Sequence, residues 1–167
     1  MHTVDVEGIP LCAIVRRLTK DDYRGKLEYE KENYQAAENL LQSAGKIDPG
    51  NEINWINLGK TYLKQERYPE ARDAFGKCLK ILPDYEPALY YLADMELALG
   101  NKNQAEELFR NIISVNSKSF RAYIAYAGIK AKSAEYSDAI EILDRCLDLN
   151  PRYKDAITMK EELLDRL

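Results

Sequence analysis

The sequence predicts an all-α fold: four helix pairs stacked as a solenoid, closed by one more helix at the C-terminal end. Three observations carry this. Residues recur in one register every 34 positions, the apolar spacing inside each period is helical, and prolines mark matching stops. Ala37, Ala71, Ala105 and Ala139 follow one another at that interval. Small residues keep the same period at Gly25, Gly59, Ala93 and Ala127, and large apolar residues keep it at Leu41, Phe75, Phe109 and Leu143. Tyr34, Tyr68 and Tyr136 form another series, with Lys102 in the remaining slot. Repetition at a fixed period in the range of about 20–50 positions is the signature of a repeat architecture.

The elements follow in order. Residues 1–17 form a leader, in which Leu11, Ile14, Val15 and Leu18 have i, i+3, i+4, i+7 spacing after Pro10, so a short amphipathic helix is expected there. Three uses of that helix stay open: covering the first repeat, docking in a groove of its own or another protomer, or ordering only when a partner arrives. The second use would make the leader a route to self-association. Residues 18–51, 52–85, 86–119 and 120–153 form four repeats of two helices, A and B. In the second repeat, Trp55, Leu58 and Tyr62 are spaced i, i+3, i+7, and Ala71, Ala74, Phe75 and Cys78 are spaced i, i+3, i+4, i+7, so each series marks one helix face. Turns between A and B are expected near Asn33, Arg67, Gly100-Asn101 and Ala134-Glu135. Small residues at the Gly59 and Ala71 positions let the two helices approach, and bulk at the Phe75 position is expected to fill the gap between neighbouring repeats. Pro49, Pro83 and Pro151 lie just past helix B, where a missing N–H stops a helix. Residues 154–167 read as a solvating helix, with Ile157, Leu163, Leu164 and Leu167 for the last repeat and Lys154, Lys160, Glu161, Glu162 and Asp165 for water. A polar-backed cap is what a solenoid end requires, so the array is expected to stop here.

Composition removes several function classes. The chain has 167 residues, the length of one ordinary domain, and a net charge of −4. A mildly acidic chain is a poor nucleic-acid binder, because that binding rests on clustered basic charge. The single histidine is His2, which leaves no imidazole base for a catalytic triad and no multi-histidine metal site. No cofactor is implied. The longest apolar run near the start is Ile9–Val15, too short for a membrane span, and two arginines follow it rather than precede it as a signal peptide requires. Cys12, Cys78 and Cys146 form no C-x-x-C pair, and a reduced cytoplasmic setting fits them best. The pairs Glu106-Glu107 and Glu161-Glu162 read as solvated helix faces.

Residues 52–85 carry Trp55, Leu58, Gly59, Tyr62, Ala71, Phe75 and Pro83 in the spacing W-x2-L-G-x2-Y…A-x3-F…P. This resembles the tetratricopeptide repeat, and the resemblance covers residues 18–153. It implies a right-handed α-solenoid whose A helices line a concave groove through repeat positions 2, 5, 6, 9, 12 and 13. Carried over, the first helix offers Thr19, Asp22, Tyr23, Lys26, Tyr29 and Glu30, and the second Ile53, Ile56, Asn57, Lys60, Leu63 and Lys64. The third offers Pro87, Tyr90, Tyr91, Asp94, Leu97 and Ala98, and the fourth Arg121, Ile124, Ala125, Gly128, Ala131 and Lys132. Apolar and aromatic side chains stand there where a solvated surface would carry charge, and lysine and arginine outnumber Asp and Glu. The other eight tyrosines fall at scaffold positions.

The expected partner contacts are therefore Tyr23, Lys26, Ile56, Asn57, Lys60, Lys64, Tyr90, Tyr91, Asp94, Arg121 and Ile124. A carboxylate clamp of the kind the family uses on chaperone tails matches one slot in five in either frame, through Asn57 or through Arg121. The resemblance implies a non-enzymatic scaffold or adaptor that holds a peptide or amphipathic helix bearing acidic and apolar residues. The alternative is a dedicated carrier chaperone or assembly factor that shields one client.

Overall fold

The computed structural model describes the backbone of residues 11–167 and the side chains of residues 20–167. Among these, all regular structure is helical: α1 (Leu11–Glu30), α2 (Tyr34–Ile47), α3 (Glu52–Lys64), α4 (Tyr68–Ile81), α5 (Glu86–Ala98), α6 (Lys102–Val115), α7 (Phe120–Lys132), α8 (Tyr136–Leu149) and α9 (Lys154–Leu164). From α2 onward the helix starts recur with the period of the sequence, so the fold class is the all-α helical-repeat solenoid. Helix α1 begins at Leu11, ahead of residue 18 where the repeat register places its start, and runs unbroken to Glu30. No proline interrupts this stretch of sequence. The leader side chains Leu11, Ile14, Val15 and Leu18, with Cys12 and Thr19, lie outside the described residues.

The chain divides into two compact units, residues 1–88 and 89–167, and the division falls within α5. In the first unit α1 packs on α2, α2 on α3 and α3 on α4, while α1 also touches α3. In the second, α6 packs on α7, α7 on α8 and α8 on α9, while α7 also touches α9. Within each unit helices thus meet their sequence neighbours, and α1 meets α3 as α7 meets α9, the pattern of stacked helix pairs.

Close approach within a pair sets the core. A Cβ added to Gly59 would stand 2.4 Å from the Phe75 ring, and one added to Gly25 would stand 2.8 Å from Leu41. These contacts lie inside single repeats, so they place the bulky position in the seam between helices A and B of one pair, where the sequence reading expected it in the gap between neighbours. Leu41, Phe75, Phe109 and Leu143, and the alanines 37, 71, 105 and 139, are all 0% exposed. Cys78 and Cys146 are buried free thiols in this core, and desolvation pushes the Cys78 thiol up to about 11. They behave as small apolar residues.

The A-to-B turns share one hydrogen-bond scheme. The Glu32 N–H donates to the Tyr29 carbonyl at 3.0 Å and the Asn33 N–H to the Glu28 carbonyl at 2.9 Å. That is the Schellman pattern, which requires a left-handed residue just past the helix. Glu32, Glu66, Gly100 and Ala134 take it, with φ of 60°, 59°, 80° and 59°. The later turns repeat the long bond: Arg67 to Tyr62 at 2.9 Å, Asn101 to Glu96 at 2.8 Å, and Glu135 to Lys130 at 3.0 Å. Only one of the four turns uses glycine, so three carry the steric cost of a Cβ in the left-handed region.

Buried glutamates staple one repeat to the next within each unit. Glu38 of α2 pairs with Arg67 at 2.8 Å, and Arg67 also holds Glu70 at 2.8 Å. In the second unit, four side chains close a ring of alternating charge. Lys102–Glu135 is 2.6 Å, Glu135–Lys130 2.8 Å, Lys130–Glu106 3.1 Å and Glu106–Lys102 3.5 Å. Glu106, read from the sequence as a solvated face, is buried here, because two lysines supply the partners that burial demands. Hydrogen bonds from Lys102 and Lys130 hold the Glu135 carboxyl down to about 2. The same ring holds the Lys130 ammonium above its ordinary range, chiefly through Glu135 and Glu106.

Gly59→Ala is expected to lower stability by about 1–3 kcal/mol in urea unfolding, because the added methyl meets the Phe75 ring. Adding Phe75→Leu should recover part of that loss, a coupling that two independent sites would not show. Ala134→Gly should raise stability by roughly 0.5–1 kcal/mol by relieving the left-handed Cβ, net of the extra freedom of the unfolded chain. Glu135 has a folded value below its ordinary 4.5, so it stabilises above that pH and loses the contribution as pH falls through about 2. The difference in urea midpoint between wild type and Glu135→Gln should therefore be largest near neutrality and shrink steadily across that acid window.

Candidate functional site

Each unit carries part of the predicted contact set. In the first unit the residues lie on α1 and α3. Tyr23 is 69% exposed and Ile53 is 53% exposed, apolar area that no described side chain covers. Lys26 is exposed and lies 3.9 Å from Glu30, its i+4 neighbour. Lys60 reaches over the Tyr29 ring, with its Nζ 4.8 Å from the centroid. Tyr29 in turn meets Tyr34 edge-on at 5.7 Å. Desolvation lowers the Lys60 ammonium from its ordinary value, Lys26 lowers it further, and Glu30 pulls it back in part. Two lysines from different helices thus interact beside one aromatic ring. Asn57 is half-buried and Lys64 exposed. At the N-terminal side of this face, Asn51 Nδ2 donates to Asp22 at 2.8 Å, and burial raises the Asp22 carboxyl.

In the second unit the residues lie on α5 and α7. The Arg121 guanidinium carbon stands 4.0 Å from the Tyr90 ring centroid. Tyr90 also meets Phe109 edge-on at 5.3 Å. The stack therefore has an immobile back wall, since Phe109 is fully buried. Asp94 is solvent-accessible, yet the protein atoms around it raise its carboxyl, with Arg121 opposing. Tyr91 and Ile124 are half-buried.

The structure brings two subsets together: Lys26, Lys60 and Tyr29 with Glu30, and Tyr90 with Arg121. Ile56 is only 7% exposed. Helix packing takes up this side chain, and it has little surface left for a partner. Tyr90, expected as a partner contact, is also part of the packing through Phe109. Sequence spacing misses that wall, because the repeat register marks Phe109 only as a core position. On these faces Lys26, Lys60 and Lys64 outweigh Asp22 and Glu30 by one charge, and Arg121 and Lys132 outweigh Asp94 by one.

Among the described residues no group of three or more His, Cys, Asp or Glu side chains converges to hold a metal ion. No helix among them is long and apolar enough to cross a membrane.

Similarity to known proteins follows the same repeat. Tetratricopeptide repeat models match residues 28–75, 63–132 and 120–153. The chain is 27% identical to superkiller protein 3 of Schizosaccharomyces pombe over 132 residues, 75% of this chain and 10% of that protein. It is 26% identical to the peroxisomal targeting signal receptor of Saccharomyces cerevisiae over 116 residues, 70% of this chain and 17% of that protein. The chain thus spans a small part of these relatives. A tetratricopeptide repeat protein of Parabacteroides merdae superposes with a TM-score of 0.79 at 18% identity, over 90% of this chain and 59% of that one. The MamA protein superposes with a TM-score of 0.71 at 19% identity, over 89% and 87%. At such identities the superpositions establish the fold alone. With family matches running from residue 28 to residue 153 and a helix pair in every repeat, the chain belongs to the tetratricopeptide repeat family.

Proposed function

We propose that this chain is a non-enzymatic protein–protein interaction scaffold of the cytoplasm. Its ligand is a peptide or amphipathic helix that brings carboxylates and apolar side chains to the A-helix faces. The observation that carries the reading is the Lys26–Lys60 arrangement beside Tyr29. Lys60 is desolvated and repelled by a second ammonium, and Glu30 compensates it only partly. A carboxylate from a partner would relieve that repulsion. Tyr23 and Ile53 on the same face supply exposed apolar area, and tyrosine gives a large contact at low entropic cost. Arg121, stacked on Tyr90, is a guanidinium already ordered for a second carboxylate. Cys78 and Cys146, buried as free thiols, fit a reducing compartment.

The test uses charge reversal at surface positions, so that folding and binding separate. A Lys26→Glu, Lys60→Glu, Arg121→Glu variant should keep its helical circular dichroism and lose partners that the wild-type chain captures on affinity beads. Recovery of the same partners in the same yield would overturn the groove assignment. Tyr90→Ala is a poorer probe, because loss of the Phe109 contact is expected to destabilise the fold as well.

A further inference from the structure

Helix α3 turns a second face to a cavity. On the side turned away from Ile53, Asn57 and Lys60, Trp55 and Tyr62 help line a cavity of about 560 Å³ between α2 and α4. The aromatic wall is fixed. The Trp55 indole N–H donates to the Pro49 carbonyl at 2.8 Å. Its ring end lies so close to Gly45 that a Cβ there would stand 3.0 Å away. The corresponding positions in the later repeats are Leu79, Ile113 and Leu147, so glycine at 45 is what admits the indole. That substitution is the one sequence signal of the site.

Both aromatic faces already carry a cation from the same unit. Lys77 Nζ lies 4.7 Å from the Trp55 ring centroid, and the Arg67 guanidinium lies 4.6 Å from that of Tyr62. The two cations are held differently. Arg67 bonds Glu38, a buried carboxylate, as well as Glu70. Lys77 pairs with Asp73, four positions earlier on the same helix, at 2.8 Å, with both side chains substantially in water. An i,i+4 pair of that kind is weak and exchanges readily.

We propose that this cavity binds the guanidinium of an arginine side chain from a partner protein, and that Lys77 is the tethered cation it displaces. A planar guanidinium stacks on an indole face better than an ammonium does. It can also meet the Asp73 carboxylate with two parallel hydrogen bonds where Lys77 offers a point contact. Glu70 lines the same cavity, but its carboxylate is already held by Arg67, so Asp73 is the carboxylate left to the incoming guanidinium. Lys46, exposed on the α2 side, is the one further lining cation, and its long side chain is free to turn to water. This site lies apart from the α1/α3 contact face and does not depend on how that face is read.

Trp55 is the only tryptophan in the chain, so its fluorescence and indole N–H resonance report on the cavity alone. The full chain is titrated with acetyl-Gly-Arg-Gly-amide and with the citrulline counterpart, which keeps the shape and lacks the charge. The arginine peptide should give a saturable shift at millimolar concentration, and the citrulline peptide should bind about tenfold more weakly. Lys77→Ala should tighten arginine binding several-fold by removing the internal competitor. Asp73→Asn should reduce it to the citrulline level. Both variants alter partly exposed side chains, and circular dichroism checks their folding. Equal response to the two peptides, no shift at Trp55, or an affinity unchanged in both variants would overturn the proposal.

Discussion

The structure depends on how closely the two helices of a pair can approach. Gly25 against Leu41 and Gly59 against Phe75 leave no room for a single added carbon. A fully buried large residue on helix B needs a minimal side chain on helix A: glycine in the first two repeats, and alanine at Ala93 and Ala127 in the last two. Because the seam is this tight, the orientation of each A helix about its own axis is set. One face must meet helix B, and the remaining positions are distributed between neighbours and solvent by helical geometry alone. The contact faces on α1 and α3, and on α5 and α7, are what remains after the seam is satisfied.

That division explains why charge and aromaticity can gather on these faces at little cost to folding. Lys26 and Lys60 repel one another, and both sit where no core contact requires them. Repulsion of this kind is tolerated because the seam supplies the stability. The Arg121–Tyr90–Phe109 stack works the other way. There a core residue orders an aromatic ring, and the ring orders a surface cation. One face carries like-charge repulsion and the other a rigid stack.

Much of this is legible in the sequence. The columns at Ala37, Gly59 and Phe75 define the period, and the period places the helix boundaries closely from α2 onward. Three things were not legible. The leader spacing Leu11, Ile14, Val15, Leu18 reads as a short helix of its own and the register starts the next one at residue 18, because nothing in the spacing says whether the two are joined. Ile56 belongs to the groove by its position, yet packing claims it; the same helical position is half-buried at Tyr90 and Ile124, so position alone does not decide exposure. The left-handed turn residues are invisible in the sequence at Glu32, Glu66 and Ala134, because the hydrogen-bond scheme imposes the conformation that glycine would otherwise advertise.

The ring of Lys102, Glu106, Lys130 and Glu135 has a consequence at a distance. Four charges alternating around a closed circuit cancel in sum and nearly cancel as a dipole, so their field falls off much faster than that of an isolated charge. An approaching molecule senses almost nothing of them beyond a few ångströms, well inside the screening length of about 8 Å in physiological salt. Four of the most strongly interacting charges in the second unit are therefore silent in long-range encounter. The charges outside the ring, Arg121 and Lys132 among them, dominate the longer-range field of this unit.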